Sequence, residues 1–161
     1  MNKKVIYGVL AVVVIIALII GIYAVSNNNN NTPATQNIDL AALNGEIQVK
    51  GQYDQMSTMP IDKEVAKSVY EIEENQIEEI IGAMPMMNVH ASMYVVIKAT
   101  DGNVENVKSK LEAYGQSYEQ QWERYLPEQY DLVKNRKIGT KGNYVYMIVA
   151  KNAGEVEALI K

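Results

Sequence analysis

Ala91-Ser92-Met93-Tyr94-Val95-Val96-Ile97-Lys98-Ala99-Thr100-Asp101-Gly102 runs from a β-branched and aromatic stretch into a turn. Residues Ala91 to Ala99 have the composition of a strand, and Thr100-Asp101-Gly102 supplies side chains that stabilise a tight reversal. Immediately afterwards the period changes. Val104, Val107, Leu111, Tyr114, Tyr118, Trp122 and Tyr125 recur every three or four residues, which predicts an amphipathic helix about 20 residues long. Gly115 falls inside this stripe without breaking it. Pro127 predicts the end of the helix. Tyr130 to Ile138 and Tyr144 to Ala150 then read as two strands, joined across Gly139-Thr140-Lys141-Gly142-Asn143 by a loop longer than two residues. Asn152 is the expected N-cap of a last helix that turns Val156, Leu159 and Ile160 inward.

Upstream of the strand, Asp39 is placed to cap a helix running to Val49 that buries Leu40, Leu43 and Ile47, with Gly45 weakening its propensity. Asp62 is placed to cap Lys63 to Tyr70, with Val65, Val69 and Tyr70 facing inward. Glu74 to Ile81 predicts a second short helix that buries Ile77, Ile80 and Ile81, leaves Glu74, Glu78 and Glu79 in water and closes at Gly82. The last two would form a helical pair. Helices, strand, long helix, two strands and a helix make an α+β fold: a small antiparallel sheet packed by a long amphipathic helix, with additional short helices.

Further out, Val5 to Val25 holds none of the chain's 15 basic and 19 acidic residues. Twenty-one residues at about 1.5 Å each span roughly 31 Å, close to the thickness of a bilayer's hydrocarbon core. Tyr7 and Tyr23 suit the two interfaces, and Lys3 and Lys4 bias the N-terminus to the cytoplasm. The expected organisation is a cytoplasmic stub (1–4), a transmembrane anchor or uncleaved signal (5–25), an Asn-rich flexible linker (26–37) and an extracytoplasmic domain (38–161). Cleavage after Ser26 is the competing reading, because Ala24-Val25-Ser26 is a small-x-small site. The linker, Ser26 to Asn37, has too little apolar surface to offset the entropy of ordering it, and coil statistics give it a reach of about 20 Å.

The chain carries a formal charge of −4, and since Lys3 and Lys4 precede the apolar run, the portion after it is more acidic still. A nucleic-acid partner is disfavoured, because displacing phosphate counterions takes a basic surface. With no cysteine, a disulfide framework, a thiolate zinc site and a thiol nucleophile are all excluded.

Met84-Pro85-Met86-Met87-Asn88-Val89 and, after the long helix, Trp122-Glu123-Arg124-Tyr125-Leu126-Pro127-Glu128-Gln129-Tyr130-Asp131-Leu132-Val133-Lys134-Asn135 resemble an exported, N-terminally anchored domain family of Gram-positive bacteria. That family is catalogued only as a domain of unknown function. The resemblance covers about residues 38 to 160, including Lys141-Gly142-Asn143-Tyr144, and the Tyr-Leu-Pro-x-Gln-Tyr block is its most specific part. It implies an N-terminal lipoprotein signal or membrane anchor and no established activity or ligand. After Met-Met-Asn-Val an acidic residue is common in the family, whereas this chain has Ser92-Met93-Tyr94.

Three constellations invite chemistry. His90 is the only histidine, so a triad would pair it with Ser92, Ser109 or Ser117, none of which sits in a nucleophile elbow. Met84, Met86, Met87 and Met93 gather around His90, and soft thioethers with an imidazole are a donor set for Cu(I). Packing is the competing use, since methionine fills irregular gaps where a helix turns into a strand. Glu71, Glu73, Glu74, Glu78 and Glu79 crowd together without the spacing of a calcium loop, and read as a solvated helix face. The tyrosine and tryptophan stripe reads mainly as core, with Trp122, Tyr125, Gln129, Tyr130, Lys134 and Asn135 as candidate partner-binding residues. No catalytic residue, cofactor or metal is assigned. The expected function is that of a membrane-anchored, extracytoplasmic, non-enzymatic module that binds a protein, peptide or envelope component. The alternatives are an envelope enzyme using carboxylates or His90, and a Cu(I)-handling protein.

Overall fold

A computed structural model describes residues 37–160. The anchor expected over 5–25 and all of the linker except Asn37 lie outside the described residues. Among the described residues, no helix is long and apolar enough to cross a membrane.

The elements run α1 (Leu40–Lys50), a 3₁₀ turn (Tyr53–Gln55), β1 (Thr58–Pro60), α2 (Lys63–Tyr70), a second 3₁₀ turn (Glu74–Gln76), β2 (Ile77–Pro85), β3 (Met93–Ala99), α3 (Val104–Trp122), α4 (Pro127–Lys134), β4 (Lys137–Lys141), β5 (Tyr144–Val149) and α5 (Ala153–Glu157). All strand pairs are antiparallel, and the sheet order is β1-β2-β3-β5-β4. The α+β class holds, and the sheet is covered on both faces. Met93, Val95, Ile97, Val145, Met147 and Val149 point to one core with α2, α3 and α4. Tyr94, Val96, Tyr144, Tyr146 and Ile148 point to the other with α1 and α5. Burial on both sides is why the central strands β3 and β5 are almost continuously apolar.

Local chemistry sets the boundaries. Asp39 accepts from the Ala41 and Ala42 N–H groups at 3.0 and 3.1 Å, and Asp62 accepts from Val65 N–H at 2.9 Å, so both expected caps are present. Ala66 and Tyr70 are the buried residues of α2, while Val65 and Val69 pack half-buried against the same core. Gly115 lies on the α3 face that meets the sheet. A Cβ there would come within 2.6 Å of Arg136 Nε and 3.1 Å of Ile138 Cδ1, so its absence lets β4 approach the helix. Arg136 fills the seam, donating to Glu119 at 2.6 Å and to the Val133 carbonyl at 2.9 Å.

Four expectations are corrected. Glu74 to Ile81 is not a helix: after the 3₁₀ turn the chain enters β2, and Gly82 lies mid-strand, its carbonyl accepting from Ile61 N–H at 2.9 Å. The α2 and Glu74–Ile81 helical pair is therefore absent. Pro127 begins a helix as well as ending one. Leu126 takes the extended conformation that precedes proline, and Pro127 occupies a first-turn position where its missing N–H costs nothing. Tyr130 to Lys134, expected in a strand, is thus helical, and β4 starts at Lys137. The hairpin loop is also shorter than expected. Lys141 pairs with Tyr144, so Gly142 and Asn143 alone make the turn, with Gly142 at φ +56°. Asn152 precedes α5, but its side chain bonds the Lys50 carbonyl at 2.8 Å instead of capping the helix.

The two sheet edges differ from the centre. β1 is three residues long and ends in Pro60, and β4 begins and ends with lysine, at Lys137 and Lys141.

Candidate functional site

Two blocks distant in the chain, Met84–Val89 and Trp122–Asn135, are joined through Ala91. This fully buried residue has both backbone groups held by side chains: its N–H donates to Gln129 Oε1 at 2.8 Å, and its carbonyl accepts from the Tyr118 hydroxyl at 3.2 Å. Buried backbone groups without partners would cost about 1–3 kcal/mol each, so these two bonds fix the base of the β2–β3 connection against α3 and α4.

Above that clamp the connection projects. Met86 is 68% exposed, Met87 49% and Val89 45%, and Tyr125, between α3 and α4, is 56% exposed. Met59, also exposed, lies opposite Met84 in the β1–β2 register. Three large apolar side chains are thus exposed within four residues, a local cluster and not scattered exposure. Leu126, Pro127, Glu128 and Gln129 line a neighbouring cleft of about 350 Å³.

Of the six residues singled out in the sequence, Trp122 is buried in the core and Tyr125 is open to solvent. Gln129 is committed to the Ala91 clamp. Tyr130 is half-buried with Lys134 Nζ 5.9 Å from its ring centroid, and Asn135 Nδ2 donates to the Asp131 carbonyl at 2.8 Å. The methionine cluster is split. Met93 is wholly buried beside Tyr114 and Met84 packs against the same core, so only Met86, Met87 and His90 share the projecting loop. Among the described residues no hydrogen bond links His90 to Ser92, Ser109 or Ser117, and no group of three or more His, Asp or Glu is placed to hold a metal ion.

The acidic residues lie on a loop, a turn and a bulge and not on one helix face, and four of the five are matched by lysines. Glu71 meets Lys110 at 3.0 Å, Glu73 meets Lys67 at 3.0 Å, and Glu78 and Glu79 meet Lys98 at 2.7 and 3.5 Å. The Glu71 and Glu73 pairs are exposed or half-exposed and contribute little stability, whereas the Lys98 side chain is largely covered. The Glu78 hydrogen bond is the main reason the Lys98 ammonium lies above its ordinary pKa.

One feature was not visible in the sequence: Ala91 carries no chemical signal of its own, and its role comes from the Tyr118 and Gln129 side chains that reach it. A second was visible in part. Tyr114, Tyr118, Trp122 and Tyr125 read as one helical stripe, and the structure adds Tyr70 from α2 to make a file of rings on the α2–α4 side of the sheet. Tyr70, Tyr114, Tyr118, Trp122 and Tyr125 follow one another with centroids 4.7, 5.4, 6.0 and 5.6 Å apart. The Tyr70 hydroxyl and Trp122 Nε1 are buried there without hydrogen-bond partners.

Residues 51–150, more than half of the chain, match the family described as Domain of unknown function (DUF4358). No curated protein and no solved structure matches the chain.

Proposed function

This chain belongs to the DUF4358 family, and we propose that it is a non-enzymatic docking module, held at the outer face of a cell membrane by residues 5–25. The observation that carries the reading is the exposure of Met86, Met87, Val89 and Tyr125 on a connection whose base is clamped at Ala91. Flexible thioethers adapt to different apolar partners, while a clamped base limits the entropy lost when they are covered. A protein or peptide of the cell envelope is the occupant of this reading. The apolar run Val5 to Val25, free of charge and long enough to span, supports the anchor.

A photo-crosslinking amino acid placed at Met87 or Tyr125 in intact cells should trap one specific partner that is absent when it replaces Glu46 on α1. Equal capture from all three positions, or none, would remove the docking reading. Protease added to intact protoplasts should digest residues 38–161, and full protection would overturn the orientation.

Copper handling survives as a second reading in reduced form, because Met86, Met87 and His90 lie within five residues of one exposed loop. Titration with Cu(I) should then saturate at one equivalent and be lost in His90→Ala. Binding that is unaffected by that change would eliminate it.

A further inference from the structure

The two margins of the sheet are closed by different means. At β1 the means is geometry: the strand is three residues long and its Pro60 has no N–H to offer. At β4 it is not. This strand pairs with β5 over five residues, Lys137 to Lys141, in unbroken register, and contains neither proline nor bulge. In an antiparallel ladder, bonded and non-bonded pairs alternate, and the two-residue turn Gly142-Asn143 makes Lys141 and Tyr144 the first bonded pair. Lys137, Gly139 and Lys141 therefore turn their backbone groups to β5, while Ile138 and Thr140 turn theirs outward. The same alternation holds on the far side of β5, where Asn143, next to Tyr144, gives its carbonyl to Ala99 N–H at 2.8 Å. Among the described residues, no hydrogen bond outside the ladder involves the N–H or carbonyl of Ile138 or Thr140.

What guards this edge is charge, and charge discriminates by sign where geometry refuses every strand. Ile138 packs against the α2–α4 core, so Lys137, Gly139 and Lys141 share the other face, on the α1 and α5 side. Among the described residues neither lysine meets a carboxylate within ion-pair distance. Lys137 also lines an open cleft of about 410 Å³ with Lys151, Asn135 and Asn152, and the one carboxylate there, Glu155, is held by Lys50 at 2.6 Å. Glu157, above the middle of the strand, accepts the Tyr146 hydroxyl at 2.8 Å. The cationic character thus runs along β4 and past its start.

We propose that the outer edge of β4 takes up an extended, acidic protein segment as a sixth strand of the sheet. Main-chain bonds to Ile138 and Thr140 set its register, and carboxylates on every second residue lie on the face of Lys137 and Lys141, with the next reaching toward Lys151. Charge complementarity selects this occupant. A basic segment is repelled, and the chain's own Ser26 to Asn37 stretch has no charged residue to match the lysines. Since β5 lies between β4 and β3, this edge is remote from the Met86–Val89 connection, and the proposal does not rest on the docking reading.

The probe is a short blocked peptide alternating glutamate with valine, titrated into the full-length, isotope-labelled chain in zwitterionic lipid nanodiscs, with amide shifts and exchange followed by NMR. The Ile138 and Thr140 N–H resonances should shift and their exchange should slow, while those of β1 stay unchanged. A peptide alternating lysine with valine should leave both untouched. Lys137→Glu combined with Lys141→Glu, two exposed changes compatible with the fold, should reverse that preference. Methylating every backbone nitrogen of the glutamate peptide keeps its carboxylates and removes its donors, and should abolish the slowing. No slowing at Ile138 and Thr140, an equal response to the lysine peptide, a preference unaltered by the double substitution, or an undiminished effect of the methylated peptide would overturn the proposal.

Discussion

Within the ring file, neighbouring aromatic residues face opposite fates on mutation. Trp122 is 3% exposed and packs edge-on against Tyr118, so Trp122→Ala should cost about 3–5 kcal/mol in urea unfolding. Tyr125, three residues on, is open to solvent, and Tyr125→Ala should stay within about 0.5 kcal/mol. Similar losses for the two would contradict the placement of both rings. Tyr70 is a different case: its buried hydroxyl carries a desolvation cost with no hydrogen bond to offset it. Tyr70→Phe should therefore be neutral or stabilise by roughly 1 kcal/mol, and a clear loss of stability would reveal a partner for that oxygen. The sequence showed these residues as a helical stripe, which locates rings but says nothing about whether each hydroxyl finds an acceptor.

Strand β2 shows how one residue disguises an element. Ile77 pairs with Ala99 and Glu79 with Lys98, so Glu78 is an extra residue, a bulge, and strand alternation resets across it. Ile77 and Ile80 consequently share the α2–α4 face while Ile81 joins the opposite core. Apolar residues at i, i+3 and i+4 are also the mark of an amphipathic helix, and the segment reads as one until the partner strand is known. Deleting Glu78 should force Ile77 out of its core, with an expected loss of about 2–5 kcal/mol, as for removal of a buried isoleucine. Unaltered stability would mean the bulge is dispensable. The misreading around Pro127 has a similar origin: Leu126, Tyr130 and Val133 have helical spacing, but a proline between them resembles a stop. By contrast α1, α2, α3, β3 and β5 were legible, because caps, uninterrupted periodicity or both-sided burial left one reading for each. The projecting loop was legible as a methionine-rich block. Its attachment to Gln129 was not, since that contact crosses 38 residues of chain.

For the molecule as a whole, a core lined with tyrosine makes alkali the weak direction. Tyr146 is pushed up from 10.0 to about 12 by burial and then by its bond to Glu157, and burial also raises Tyr53, Tyr70 and Tyr114. In the unfolded chain these phenols ionise near their ordinary value. Between about pH 10 and 12 the folded protein therefore holds more protons than the unfolded one, and stability falls as pH rises through that window. Below pH 10.0 the contribution is present in full. Urea midpoints measured from pH 8 to 12 should stay level to about pH 10 and then drop, with the phenolate absorbance of the buried tyrosines appearing only as the fold opens. Absorbance lost in Tyr53→Phe or Tyr146→Phe that appears before unfolding would show those hydroxyls to be solvent-accessible.

The sheet's margins bear on how many copies can share a small area. A neighbour seeking to continue the ladder at β4 would bring Lys137 and Lys141 against its own lysines, and at β1 it would find three residues and a ring in place of an amide. Crowded molecules are thereby kept from zipping into fibrils, and any self-association must use side chains in place of backbone.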